Sequence, residues 1–268
     1  MMEGDSTTGF FGPDDPPTVR ILGADSRLPL VLGCDHGGNA VPEGLGTLGI
    51  DRAHLWDHIG YDIGAAAVAC GVAERLGATA VVAQYSRLIV DCNREPGLPT
   101  AIPAESDGIP IPANRGLSEP DCEARTNTFF WPYHQALGNT LGRRRRAGVV
   151  PILITVHSFT PTMNGRERPW HVGVLWHRDT RIADRLRAAF ARETDLVVGK
   201  NEPYSGTDHG YTIQMHGETT GIPHAALEIR QDLLADAAGV GQWIDRLAAL
   251  LPPILEQPDP ALREITYF

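Results

Sequence analysis

Residues 149–156 read VVPILITV, and this run constrains the fold more than any other stretch of the chain. Apolar side chains at successive positions of a pleated strand face both sides of it, so both sides must be covered. That is the situation of a central strand in a largely parallel sheet packed between helices. The run hands on directly to His157 and Ser158, which puts polar side chains at the strand's carboxyl end.

The same pattern recurs along the chain. LPLVLGC at 28–34 predicts a second buried strand, with Asp35-His36-Gly37-Gly38-Asn39 as a loop at its mouth. Ile63, Ala67, Cys70, Ala73 and Leu76 recur every three or four residues, which predicts a helix over 62–76 with Gly77 as its C-cap. TAVVA at 79–83 predicts a strand, and 88–90 is expected to continue in extended form into Asp91-Cys92-Asn93-Arg94. The Pro- and Gly-rich segment 95–120 predicts an irregular excursion of the kind that forms a site wall or lid. Helical spacing follows over 119–146, with Phe130, Tyr133, Leu137 and Leu141 on one face and four arginines as a solvated end. A strand at 172–176, a helix at 180–193, a strand at 225–229 and a helix at 240–251 complete the series.

Strands alternating with helices predict an α/β fold: a single domain, 18–268, built on a mostly parallel mixed sheet with helices on both faces. Residues 1–17 are expected to form a flexible tail. Ligands bind such sheets outside the carboxyl ends of the strands, which gathers His36, Asn93, Arg94, His157 and Glu228 on one rim.

Composition narrows the function classes. A net charge of −10 argues against nucleic acid as a partner, since that needs a basic face. No window approaches the roughly eighteen consecutive apolar residues of a membrane span, and the acidic N-terminus lacks the basic and apolar regions of a secretory signal, so a cytoplasmic location is expected. Four widely spaced cysteines, with no Cys-x-x-Cys pair, read as free thiols. Gly44-Leu-Gly-Thr-Leu-Gly49 matches G-x-G-x-x-G literally but does not directly follow a strand, and no G-x-S-x-G serine elbow is present.

His36 and His157, each ending a predicted strand, are candidate metal ligands, because two neutral imidazoles converging at a sheet rim suit zinc or another divalent ion. Catalytic zinc usually takes three protein ligands and keeps a position open for water. Asp62 is the candidate third ligand, with Asp57, His58 and Asn39 as competitors. Glu228 interrupts an apolar strand, so either Arg230 neutralises it or it serves as a base. Asn93 and Arg94 could orient a carboxylate, the alternative being a salt bridge of Arg94 with Asp91. Ser158 reads as a supporting residue beside His157.

These segments carry a family resemblance. DHGGNAVP from Asp35, Asp62-Ile-Gly64, YSRLIVDCNR from Tyr85, His157-Ser-Phe-Thr160 and LEIRQDL from Leu227 resemble the N-formylglutamate amidohydrolase family along nearly the whole chain. The order of a His motif, an Asn-Arg, a His-Ser and a Glu-x-Arg also resembles zinc carboxypeptidases and aspartoacylase-like deacylases. The resemblance implies a zinc-exopeptidase-like (phosphorylase/hydrolase-like) fold and deformylation of a small N-acyl amino acid, nominally in histidine degradation. It implies zinc on His36 and His157, the substrate carboxylate on Asn93 and Arg94, and Glu228 as general base. Ser158, Arg168, His216 and Arg230 are the further substrate-binding candidates, and Tyr204 and His209 fall in similar loops. One departure stands out: carboxypeptidases place a glutamate three residues after the first histidine, where this chain has Asn39. A deacylase or carboxypeptidase-like enzyme for another N-acyl amino acid or small peptide, and a non-catalytic ligand-binding homologue, are the alternatives.

Overall fold

The computed structural model describes residues 9–206, 210–256 and 259–267. Its elements run β1 (Val19–Leu22), β2 (Leu30–Cys34), α1 (Arg52–Leu55), α2 (Ala65–Leu76) and β3 (Thr79–Ala83), then a hairpin of β4 (Glu105–Ser106) and β5 (Ile109–Pro110). α3 (Glu119–Arg125), α4 (Trp131–Arg146), β6 (Ile152–Phe159), a second hairpin of β7 (Thr162–Met163) and β8 (Arg166–Glu167), and β9 (Val172–Leu175) follow. α5 (Arg181–Phe190), β10 (Val198–Lys200), β11 (His224–Arg230) and α6 (Ala237–Leu255) end the series.

Seven strands form one sheet in the order β1-β3-β2-β6-β11-β9-β10. The pairs β3/β2, β2/β6, β6/β11 and β9/β10 are parallel, while β1/β3 and β11/β9 are antiparallel. β6, the strand of the VVPILITV run, is the middle of the seven, and all eight of its residues are buried. The fold is therefore the single-domain α/β arrangement with a mostly parallel mixed sheet that the alternation implied.

Side-chain alternation divides the strands between two cores. Leu32, Ile154, Val156, Val174, Leu227 and Ile229 point to one face and pack with the apolar stripes of α2, α5 and α6. Val31, Val81 and Leu153 point to the other, where Tyr133, Leu137 and Leu141 of α4 cover them. Farther along that second face the cover ends, and a cavity opens above Thr155, Leu175 and Ala226.

Local rules explain most element ends. α2 starts behind Gly64 and stops at Gly77, both with positive φ, which a side chain at Gly77 would resist. The helix expected over 119–146 is continuous but widens: α3 passes into a π-turn at Thr126–Phe130 and on into α4, and the wide turn lies just ahead of Pro132, which has no N–H to donate to the preceding turn.

Two expectations are corrected, and one strand is new. Residues 88–90 form a turn rather than a strand, because Asn114 and Arg125 side chains, not a neighbouring strand, take the carbonyls of Leu88 and Ile89. Of the tail expected over 1–17, residues 1–8 lie outside the described residues, and residues 9–17 are docked: Phe10 and Phe11 pack edge-on against Phe129, Asp15 accepts from the Glu43 amide, and Tyr85 donates to the Pro16 carbonyl. β1 supplies an edge strand that the sequence reading did not assign. Among the described residues no helix is long and apolar enough to cross a membrane.

Candidate active site

β2, the turn before α2, the 85–94 turn, β6 and β11 all end at one cavity of about 350 Å3. His36 stands just beyond the end of β2, and its carbonyl accepts from the Asp62 amide, which ties the 62–64 turn to the strand end. His157 and Glu228 are direct cross-strand neighbours on β6 and β11, so the parallel register alone sets them side by side. On the other side of Glu228 the partner is Gly173, where a Cβ would meet the Glu202 carbonyl oxygen at 2.1 Å. Only glycine lets that backbone approach there.

His36, Asp62 and His157 offer one ligand atom each, all within 4.8 Å of one another and all buried. Asp62 Oδ2 is 3.2 Å from His36 Nδ1 and 2.9 Å from His157 Nδ1, so both imidazoles turn the same nitrogen toward one oxygen. Of their remote nitrogens, His36 Nε2 is hydrogen-bonded at 2.7 Å to Asp91 Oδ1, while His157 Nε2 lies 3.1 Å from Asp35 Oδ2 as an ion-pair contact without hydrogen-bond geometry. Asp35 is itself fixed, accepting from Tyr133 Oη at 2.6 Å and Thr212 Oγ1 at 2.8 Å. Arg87 spans Asp91 and Asp62, donating to the first from Nε and Nη2 and to the second from Nη1.

Charge dominates burial at the acidic positions. Burial would raise the Asp62 carboxyl, yet His36 and His157 hold it well below the usual range. Burial likewise opposes the charged form of Asp91, but Arg87 and His36 outweigh it and push that carboxyl well down. Glu228 behaves the other way: burial, with the Asp62 charge adding to it, pushes it up to about 7. Its Oε2 is buried without a hydrogen-bond partner among the described residues, as are Ser158 Oγ and Thr155 Oγ1. A buried carboxyl pushed upward beside convergent ligand atoms suits proton transfer.

The structure gathers most of the predicted site residues. His36, Asp62, Asn93, Arg94, His157, Ser158, Glu228 and Tyr204 line the cavity. The Asn93 side chain accepts from the Thr212 amide, and the Arg94 guanidinium donates to the Asn93 carbonyl. Arg87, not Arg94, pairs with Asp91, which leaves Arg94 with no carboxylate partner among the described residues. Of the competitors for the third ligand, Asp57 pairs with His58 at the cavity mouth.

Three candidates lie elsewhere. Arg168 sits behind the wall, donating to Thr160 Oγ1 and to the Tyr204 hydroxyl with its guanidinium over the Tyr204 ring. Arg230 forks onto Asp232, so it does not neutralise Glu228. His216 is buried against His134 with 2.9 Å between His216 Nε2 and His134 Nδ1. His134 Nε2 faces the Cys92 carbonyl, which can only accept, so His134 Nδ1 is an acceptor and His216 the donor. Burial, with His134 beside it, lowers His216 to about 4, so the pair is neutral. His209 lies outside the described residues. The sequence reading missed Asp35, Arg87 and Asp91 as supports of the histidines; the i,i+4 spacing of Arg87 and Asp91 was the one local signal.

Comparison with known proteins places the chain in a family. The crystal structure of gene product Atu2144 from Agrobacterium tumefaciens is 34% identical, with 92% of this chain and 98% of that one covered at a TM-score of 0.88. N-formylglutamate amidohydrolase from Ralstonia eutropha JMP134 shares the fold at 20% identity, covering 90% of this chain and 97% of that one with a TM-score of 0.67. No curated protein matches. A family model described as N-formylglutamate amidohydrolase matches residues 28–235, which takes in every strand from β2 to β11 and all of the cavity-lining side chains named above, and the chain therefore belongs to the N-formylglutamate amidohydrolase family.

Proposed function

We propose that the cavity hydrolyses the N-acyl amide of an amino acid, nominally an N-formyl group, with a divalent ion, best zinc, held by His36, Asp62 and His157. The carrying observation is the convergence of two Nδ1 atoms on one Asp62 oxygen beside Glu228, whose own oxygen is buried and unpartnered among the described residues. Two imidazole nitrogens and one carboxylate oxygen are a donor set that suits zinc and leaves room for water and substrate. The carboxylates behind the imidazoles fit the same reading, since metal-ligating histidines almost always have the far nitrogen held by such a group. An ion bound there would supply Lewis acidity, lowering the pKa of water and polarising a carbonyl.

The chain's own groups carry the remaining roles. Glu228 in its carboxylate form accepts a proton from the attacking water and hands it to the departing amine, a role that suits its place beside His157 on the cavity face. Arg94, with no carboxylate partner among the described residues, receives the α-carboxylate as a planar fork, and Asn93 beside it is braced by the Thr212 amide. Asp35 and Asp91 fix the imidazole orientations, and Arg87 locks Asp91 against Asp62. The test is amine release from N-formyl, N-acetyl and N-succinyl amino acids with and without chelator. Chelator-sensitive cleavage supports the reading; cleavage indifferent to chelator, or none after metal is restored, counts against it.

A further inference from the structure

Strand geometry continues below the reacting groups. Side chains two residues apart on a strand share a face and lie about 7 Å from each other. Two residues back from His157 and Glu228 are Thr155 and Ala226, again direct cross-strand neighbours, and Leu175 of β9 pairs with Ala226 on the far side. Leu175, Ala226 and Ile213 form a small apolar cluster of their own, with Tyr204 packed on it, separate from the two large cores. All three line the cavity together with Thr155, and all four are at most 5% exposed. The hydroxyl of Thr155 is buried without a hydrogen-bond partner among the described residues, while its methyl lies on the Gly33 side, where an added Cβ would come within 3.2 Å.

We propose that this floor is a blind subsite for a compact, branched, uncharged aliphatic group of the substrate, of valine or leucine size, rather than for a second carboxylate. The inference rests on the amide-hydrolase reading above and adds the substrate class. A carboxylate placed there would face Leu175, Ile213 and Ala226 with only the neutral hydroxyls of Thr155 and Tyr204 near it and one strand step from Glu228, and an anion buried among such groups is costly. The nearby guanidinium of Arg87 is already committed to Asp62 and Asp91. An aliphatic group gains contact with three apolar side chains and brings no charge to desolvate, at the smaller cost of covering the Thr155 hydroxyl. The group can be the amino acid's side chain or the acyl chain; the chemistry of the floor is the same for both.

The experiment compares kcat/KM for N-formyl-leucine, N-isovaleryl-glycine and N-formylglutamate, in the zinc-supplemented protein and in Ala226→Phe. One of the two aliphatic substrates should exceed N-formylglutamate by at least about tenfold, the discrimination typical of one filled hydrophobic pocket. Which one leads tells whether side chain or acyl chain occupies the floor. Ala226→Phe should erase that preference while zinc stoichiometry and melting temperature stay those of the parent, which separates a blocked subsite from a misfolded chain. N-formylglutamate ahead of both, or a ranking untouched by Ala226→Phe, overturns the proposal and leaves the hydrolase reading standing. Should no amide be cleaved, the hydrolase reading fails, and calorimetry with leucine, isovalerate and glutamate decides the subsite: aliphatic binding lost in Ala226→Phe supports it, and glutamate binding as tightly overturns it.

Discussion

The same strands present two unlike faces. Toward α2, α5 and α6 they show Leu32, Ile154, Val156, Leu227 and Ile229, an unbroken apolar layer. Toward the cavity, one residue along each strand, they show Thr155, His157, Ala226 and Glu228. The difference teaches that stability and chemistry are divided by alternation and not by region. Leu227 and Glu228 are adjacent in sequence, yet the first holds the sheet to its helices while the second faces substrate. The packed face fixes the register, because slipping by one residue would exchange the layers and bury the reacting groups in the core. The cavity face can then carry an orphaned carboxyl and an orphaned hydroxyl at the expense of stability.

That division can be broken by experiment, starting with the largest effect. Glu228→Gln should lower turnover by about 10^3-fold, or about 4 kcal/mol, as expected for loss of a general base, with unfolding stability unchanged or raised. A stability loss matching the activity loss would erase the distinction between the faces. Leu227→Ala, its neighbour, should do the reverse, costing about 2–5 kcal/mol in urea unfolding with near-parental turnover per folded molecule.

The two buried histidine pairs sharpen the comparison. Burial opposes protonation in both, but His36 and His157 face carboxylates that reverse it, whereas His134 and His216 face each other and a carbonyl. His216 is lowered from 6.5 to about 4, so between those pH values the unfolded chain binds more protons than the native one. Stability from this residue is therefore complete above about pH 6.5 and is lost as pH falls toward about 4, up to about 3 kcal/mol. His216→Phe should flatten that acid limb of the urea midpoint; an unchanged limb would show that the pair does not titrate as described. Smaller again, Asp91→Asn should weaken zinc affinity by about 10–100-fold, read by competition with a chelating dye.

Much of this was legible in the sequence where local pattern and tertiary environment coincide. The apolar runs of β2, β3, β6, β9 and β11 and the stripes of α2 and α5 need covering on the faces where helices lie, so periodicity alone locates them. His36, His157 and Glu228 stood out because each breaks or ends such a run. What stayed hidden depends on partners far along the chain. Residues 88–90 look like a strand, but Asn114 and Arg125 satisfy their backbone, and nothing in the run itself announces those partners. Asp35 and Asp91 contact histidines 122 and 55 positions away, and no spacing rule reaches that far. Arg230 and Arg168 carried the right chemistry, yet Asp232 and Tyr204 claim them behind the wall.

The central claim is that His36, Asp62 and His157 hold one metal ion on which amide cleavage depends. Zinc titration of the chelator-stripped protein by calorimetry, with turnover of an N-formyl amino acid panel followed in the same samples, tests it most directly. One tight site per chain is expected, with activity returning in step with its occupancy and Asp62→Asn weakening the site by more than the roughly 100-fold ceiling of a supporting residue. Full activity in the stripped protein, or a zinc site indifferent to Asp62→Asn, would contradict it.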